Sequence, residues 1–182
     1  MNGPNSLSQP EAGRTGAAAP RVVILGIGNL LMRDEGVGIH AVRRLRSQYR
    51  LPGNVELIDG GTSGFNLLPL LEDAVHLIVI DALRCGLAPG TVVVLKNEQV
   101  PVFFGTKLSP HQAGLADVLA MLSFKGTAPA SVTLLGVVPG DLSTGMELSP
   151  VVGLSMNQLI TSVINELTRL GVEMRDAPPQ HV

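Results

Sequence analysis

The chain has 182 residues, of which 45% are hydrophobic, and this composition predicts one soluble domain with an aliphatic core. The formal net charge is only -2, and no basic stripe is interleaved with aromatic residues, so nucleic acid is excluded as an expected partner. No apolar run reaches the roughly 18 residues that span a bilayer, so no membrane insertion is expected.

The two ends of the chain differ in composition from its middle. Residues 1–20 are rich in Gly, Pro, Ala and Ser and predict a disordered leader, residues 174–182 predict a flexible tail, and the domain between them spans residues 21–173. The N-terminus lacks the basic and apolar regions of a secretory signal, and the single cysteine, Cys85, cannot form an internal disulfide. Both features predict a cytoplasmic location.

Strand-like and helical segments alternate along residues 21–173. Short apolar runs predict strands over residues 22–27, 55–59, 76–80, 91–95 and 132–138. Helical spacing and helix-start signals predict helices over residues 35–49, 65–71, 109–124 and 149–170, with a loop over residues 97–110. The alternation predicts an α/β fold whose mostly parallel sheet is covered by helices on both faces. Strand order and the direction of the fourth strand stay open.

Acidic residues follow two of the predicted strands, and ligands in parallel sheets bind beyond such strand ends. Asp34 and Glu35 lie in the Gly-rich segment after the first strand, and Asp81 directly follows the third. Each acid also has a structural explanation. The helix dipole favours acids at a helix start, and an acid after a strand is often a turn residue.

His111 is placed at about the second position of the helix predicted over residues 109–124. The positive end of the helix dipole disfavours the imidazolium form, and metal ions bind the neutral ring. Alone, His111 would more often be a structural hydrogen-bonding residue. Together with Glu35 and Asp81 it predicts an incomplete site for nickel, zinc or a related divalent ion, with positions open for water or substrate.

The sequence also permits two other kinds of site, one for a dinucleotide and one for nucleophilic hydrolysis. The glycines of residues 26–28 suggest a dinucleotide fingerprint, but Leu31 stands where a third small residue is needed. Asp59 lies 31 residues beyond Gly28, against the usual spacing of about 20. A tight strand-to-helix turn explains these glycines as well. A Cys85–His111 hydrolase dyad is the second alternative, and no local signature supports it.

Five segments of the sequence occur in the order and spacing of one known family: VVILGIGNLLMRDEGVGIHAVRRL, VELIDGGTSGFNLLPLL, HLIVIDAL, SPHQAGLADVLAML and VTLLGVVP. Over about residues 21–171 the chain resembles the maturation endopeptidases of nickel–iron hydrogenases. The resemblance implies a three-layer α/β/α sandwich with a five-stranded twisted sheet. It also implies removal of a short C-terminal peptide from the hydrogenase large-subunit precursor, after nickel has been inserted into that precursor.

The resemblance also implies roles for individual residues. Glu35 in the D-E-x-x-G segment, Asp81 after the third strand and His111 in the S-P-H-Q segment match the family's metal ligands. The same three residues are the expected catalytic residues. The segment implicated in substrate recognition corresponds to Asp59, Gly60, Gly61 and Thr62. The expected metal is nickel carried by the substrate, with the three ligands vacant or holding another divalent cation in the isolated protein.

The expected partner is the hydrogenase large-subunit precursor, and the protein itself is expected to be a monomer. Hydrolysis has two open routes, with Asp81 or Glu35 as general base for water or with nickel as a Lewis acid on the carbonyl. The enzyme is classed here with aspartic-type proteases, although the sequence does not demonstrate a paired-carboxylate dyad. The competing function is a non-enzymatic, metal-binding hydrogenase assembly chaperone that uses the same ligands.

Overall fold

Apolar runs with no polar residue inside them, such as VVILGI, are stable only where both faces of a strand are covered. The computed structural model describes residues 18–104 and 110–178, without the side chains of residues 104, 110 and 111. Its strands are β1 (Val22–Ile27), β2 (Tyr49–Arg50), β3 (Val55–Gly61), β4 (His76–Ala82), β5 (Val92–Lys96), β6 (Ser131–Val137) and β7 (Arg175–Asp176).

Five of these strands form the central sheet, in the order β3-β1-β4-β6-β5. Strands β3, β1, β4 and β6 are mutually parallel, and β5 pairs with β6 in the antiparallel direction. The mostly parallel sheet expected from the sequence is therefore confirmed, and the antiparallel strand is the fourth predicted one. Strand β4 ends two residues later than predicted, so Asp81 lies inside the strand and not after it.

Helices cover both faces of the sheet. They are α1 (Val37–Gln48), α2 (Leu68–Leu71), α3 (Gln99–Phe104), α4 (Pro110–Lys125) and α5 (Pro150–Arg169), with short 3-10 turns at Arg33–Gly36 and Gly64–Leu67. Helices α1 and α5 pack on one face, and α2, α3 and α4 contribute to the core on the other. Among the described residues, no helix has the length and apolarity that a membrane span requires.

Helix α3 corrects the loop that was predicted over residues 97–110. Proline normally argues against a helix, but Pro101 lies in the first turn of α3, where its missing N–H has no intrahelical partner to lose. Val100 is buried in the core beside it. Six residues are too few to show helical periodicity, so this helix depends on tertiary packing that the local sequence does not reveal.

The segment after α5 also contains regular structure. Strand β7 lies within the tail predicted over residues 174–182 and pairs in the antiparallel direction with β2. Residues 1–17 of the predicted leader and residues 179–182 of the tail lie outside the described residues. The boundaries of leader, domain and tail therefore stay predictions.

A buried carboxylate, Glu166 of α5, ties that helix to the sheet. It accepts hydrogen bonds from Thr133 Oγ1 at 2.8 Å, from Lys96 Nζ at 2.6 Å and from the guanidinium of Arg169 at 2.6 Å. Burial by itself raises the pKa of Glu166, but the bonds from Arg169, Lys96 and Thr133 outweigh it and lower the pKa to about 2. Glu166 is therefore ionised at neutral pH and stabilises the packing of α5.

Candidate active site

Asp81 lies near the carboxyl end of β4, on the face of the sheet that α4 covers. The alternating residues Leu77 and Val79 belong to the same core cluster as Leu115 of α4. Asp81 itself is fully buried. An aspartate inside a buried strand is unusual, and its burial is unfavourable unless hydrogen bonds satisfy the carboxylate. Because Asp81 lies inside β4, it is not the turn residue that the structural alternative assumed.

Hydrogen bonds from β4 and from α4 hold the carboxylate of Asp81. The backbone N–H of Ala82 donates to Oδ1 at 2.7 Å, and Nε2 of Gln112 donates to Oδ2 at 2.6 Å. The same Gln112 nitrogen donates to the carbonyl of Ala82 at 3.1 Å. Gln112 is itself buried, so these contacts form in a site shielded from water. The sequence reasoning did not identify Gln112, although it stands next to His111 in the segment that carries the family resemblance.

His111 lies in the first turn of α4, as the helix-start signal predicted. Its side chain lies outside the described part of the structure, as does Ser109. Because the neighbouring Gln112 bonds to Asp81, the turn that carries His111 lies at the carboxyl end of β4. Among the side chains that the structure describes, which do not include that of His111, no group of three His, Cys, Asp or Glu residues could hold a metal ion.

Glu35 lies in the 3-10 turn between β1 and α1, and this turn packs against β4. The approach depends on glycine. Gly28 has φ +134°, and a Cβ atom there would overlap the carbonyl oxygen of Glu35. A Cβ atom on Gly38 would overlap the carbonyl oxygen of Ile80, one residue before Asp81. These glycines form a tight strand-to-helix turn. The turn brings the half-buried Glu35 to the carboxyl ends of the strands, where Asp81 also lies.

Asp34, the other acid of this turn, has a structural environment. It is fully buried, and its carboxylate accepts hydrogen bonds from the backbone N–H groups of Gly140, Asp141 and Ser149 and from the Ser149 hydroxyl, at 2.7–2.8 Å. Ser149 precedes α5, as predicted, but its side chain makes no capping bond to that helix and donates to Asp34 instead. The two adjacent acids therefore have different surroundings.

The segment over residues 139–149, which follows β6, is fastened to the Glu35 turn by further bonds. The Arg33 N–H donates to Gly145 at 2.8 Å, and the Gly145 N–H donates to Leu31 at 2.9 Å. Arg33 also forms an ion pair with Asp141 at 3.3 Å. Hydrogen bonds from Ser143, and then the charge of Arg33, lower the pKa of Asp141 below its usual value. Asp141 therefore remains an anion on this loop.

The residues predicted to recognise substrate lie at the end of the edge strand β3. The ladder between β1 and β3 shifts after Gly26, which pairs with Asp59, so that Ile27 pairs with Gly61 and Gly60 forms a bulge. Asp59 is exposed, and its carboxylate lies 3.4 Å from Arg43 of α1. Thr62 is also exposed.

The loop that continues from β3 packs against α4. A Cβ atom on Gly114 of α4 would lie 2.9 Å from the Cα atom of Gly64. The predicted recognition segment is thus followed directly by a turn in contact with the helix that carries His111 and Gln112. Glu35, Asp81 and the backbone of His111 come from three elements that meet at the carboxyl ends of the parallel strands.

This chain is similar in sequence to proteins of one known family. Residues 39–166 match the family model described as HycI, hydrogenase maturation protease. The chain is 43% identical over 154 residues to the Hydrogenase 2 maturation protease of Escherichia coli (strain K12), covering 84% of this chain and 94% of that protein. It is 44% identical over 156 residues to the hydrogenase expression/formation protein HupD of Rhodobacter capsulatus, covering 85% and 74% of the two chains.

Solved structures share the fold. The hydrogenase maturating endopeptidase HybD from E. coli superposes with a TM-score of 0.83 at 42% identity, covering 86% of this chain and 97% of that chain. The NiFe hydrogenase maturation protease HybD from Thermococcus kodakarensis superposes with a TM-score of 0.68 at 28% identity, covering 80% and 98%. The expected α/β sandwich with a five-stranded, mostly parallel sheet is therefore confirmed.

Proposed function

Because the chain belongs to the hydrogenase maturation protease family, we propose that it removes a C-terminal peptide from the nickel-loaded precursor of a nickel–iron hydrogenase large subunit. The observation that carries this proposal is the buried Asp81 at a strand end. Its carboxylate is held by Gln112, the chain neighbour of His111, and the turn of Glu35 packs on the same strand. A peptide bond presented at this edge meets carboxylates that the fold holds in place.

Nickel enters this proposal as part of the substrate. Glu35, Asp81 and His111 supply two carboxylates and one imidazole, a donor set that suits a borderline divalent ion and leaves several coordination positions open. In the precursor those positions are filled by the precursor's own ligands. The protease then docks productively only on precursor that already carries nickel, so the metal acts as a recognition element and places the scissile bond near the carboxylates.

Two routes of hydrolysis remain, and they assign different work to the same residues. In one, Asp81 or Glu35 takes a proton from the attacking water as general base. In the other, the substrate's nickel polarises the scissile carbonyl as a Lewis acid, and the carboxylates and His111 only orient it. Asp34 accepts four hydrogen bonds from the segment over residues 139–149, which accounts for its burial without a catalytic role. Aspartic-type chemistry would therefore rest on Asp81 without Asp34 as its partner.

The segment Asp59, Gly60, Gly61 and Thr62 is proposed to contact the precursor beside the scissile bond. Asp59 and Thr62 are exposed at the edge strand, where a docking chain can reach them. The exposed Arg43, 3.4 Å from the Asp59 carboxylate, presents a cationic group beside it.

The test is incubation of nickel-loaded precursor with the wild-type protein, followed by mass spectrometry of both proteins. Loss of a C-terminal peptide from the precursor is the expected result. A stable complex without any loss of mass would instead support the metal-binding assembly chaperone. Glu35→Gln is expected to abolish cleavage, whereas Glu56→Gln, the same chemical change near the amino end of β3, is the matched control and should leave it intact.

A further inference from the structure

We propose that Gln112 is a positioning residue that fixes Asp81, and the first turn of α4, in the arrangement that the metal-loaded precursor requires. The inference rests on the proposed function, because that function supplies the metal. It adds a residue to which neither the family resemblance nor the relatives' names assign a role. Three features carry it: the orientation of the amide, the fixed carboxylate plane and the tie between α4 and β4.

The orientation of the Gln112 amide is determined by its partners. Its nitrogen faces Oδ2 of Asp81 at 2.6 Å and the carbonyl oxygen of Ala82 at 3.1 Å. A backbone carbonyl accepts hydrogen bonds and never donates them, and an ionised carboxylate behaves in the same way. Reversing the amide would bring its own oxygen against two acceptors. Gln112 is therefore held in a single orientation.

The carboxylate plane of Asp81 is fixed from two sides. Rotation about the terminal torsion of an aspartate is broad, so this group has no strong preference of its own. The Ala82 N–H holds Oδ1 from within β4, and Gln112 holds Oδ2 from α4. Removing Gln112 takes away the bond to Oδ2 that comes from α4. The carboxylate can then rotate away from the direction in which it meets a metal ion or a water molecule.

The two bonds of Gln112 also tie α4 to the end of β4. Gln112 is the third residue of α4, directly after His111, and it contacts both Asp81 and the next residue of the strand. Gln112 therefore helps to set the separation between the backbone of His111 and that of Asp81. Partners of metal-binding carboxylates and histidines typically contribute 10- to 100-fold to metal affinity or activity.

The experiment compares wild type with Gln112→Met, which keeps the length of the side chain but has no donor. Gln112→Asn is the second variant, which keeps the amide but is one methylene shorter. The matched control is Thr133→Val, which removes another donor to a buried carboxylate, that of Glu166. Thr133 pairs with Ile78 of β4. Ile78 lies three residues before Asp81, so the control site is roughly 10 Å from the Asp81 backbone.

Four quantities are measured for each protein: the melting temperature, the affinity for Cd²⁺ alone by calorimetry, and kcat and KM on nickel-loaded precursor. Both Gln112 variants should lose about 10- to 100-fold in kcat at saturating precursor and in Cd²⁺ affinity. Thr133→Val should lower the melting temperature and leave the Cd²⁺ affinity, kcat and KM within about twofold of wild type. If the wild type shows no measurable Cd²⁺ binding, kcat alone decides.

The positioning role is overturned if both Gln112 variants keep kcat within twofold of wild type, or if Thr133→Val reduces kcat as much as they do. Neither result affects the proposed function, because wild type would still cleave the precursor. Conversely, a wild type that binds Cd²⁺ but does not cleave nickel-loaded precursor contradicts the proposed function. The role of Gln112 is then tested by comparing the Cd²⁺ affinities of wild type and the two Gln112 variants. Absence of both binding and cleavage in the wild type contradicts both proposals.

Discussion

The carboxylate of Asp34 accepts two hydrogen bonds from Ser149, one from its N–H at 2.7 Å and one from its hydroxyl at 2.8 Å. The contact joins the turn after β1 to the start of α5. Strand β4 lies between β1 and β6 in the sheet, so this contact links loops on both sides of the strand that carries Asp81. Asp34 thus stabilises the frame within which the neighbouring Glu35 is held.

Asp34→Asn should destabilise the fold strongly. The amide has only one acceptor oxygen, so at least one of the donors from Gly140, Asp141 and Ser149 loses its partner in a buried site. We expect a decrease of about 3 kcal/mol in the free energy of unfolding. Urea denaturation measures it, and Asp117→Asn on the exposed side of α4 is the control that should change it by less than about 0.5 kcal/mol. Equal stability of the two variants would contradict the assignment.

Ser149→Ala should remove the hydroxyl bond to Asp34 and keep the backbone bond. The expected loss is about 1 kcal/mol in the free energy of unfolding. A double-mutant cycle separates this bond from helix capping, because the loss should nearly vanish when Asp34 is already Asn. If Ser149 acted as the cap of α5, the same loss would persist in that background.

Gly28→Ala should displace the Glu35 turn. The residue has φ +134°, and the added Cβ atom would overlap the Glu35 carbonyl oxygen, so backbone strain and a steric clash act together. We expect a destabilisation of about 3 kcal/mol and loss of precursor cleavage. Gly53→Ala is the matched control, since nothing lies within 4 Å of a Cβ atom there. Thermal denaturation and the cleavage assay of both variants check the prediction, and near-identical behaviour would contradict it.

Glu166 predicts a defined loss of stability in acid. The pKa of Glu166 is about 2 in the folded protein, against the ordinary glutamate value of 4.5 that applies to an unfolded chain. The stabilisation is therefore fully present above about pH 4.5 and is lost as the pH falls through 2. Because the partner groups of Lys96 and Arg169 are partly exposed, we expect about 2 kcal/mol at pH 7.

The measurement for Glu166 is urea denaturation of wild type and Glu166→Gln between pH 7 and pH 2. The two free energies of unfolding should differ most at pH 7 and converge towards pH 2. A constant difference across this range would show that Glu166 does not titrate as the structure implies. Glu173→Gln, at an exposed carboxylate, serves as the control and should follow wild type.

The fold could be predicted from the sequence because its signals are local. The apolar run of β1 and the helical spacing in α5 each lie within one element, and the resemblance covered the same residues. Helix α3 was missed because its stability comes from the buried Val100 rather than from a repeated pattern. In the candidate site, too, local signals could be predicted and long-range contacts could not.

Residue types and strand ends identified Asp81 and Glu35 as site candidates but could not separate Glu35 from Asp34. That separation depends on Ser149, which lies 115 residues away in the chain. Gln112 was missed for a similar reason, since its role depends on a contact with Asp81 across 31 residues. Pairings of this kind are set by topology, and no local spacing reveals them.

The central claim is that Glu35, Asp81 and His111 act together on nickel carried by the precursor. Its most direct test is the initial rate of C-terminal peptide release from nickel-loaded and nickel-free precursor, measured by mass spectrometry with wild type and His111→Ala. The account predicts rapid release by wild type from loaded precursor alone, and no release by the variant from either form. Equal rates on both forms of the precursor, or full activity of His111→Ala, would contradict it.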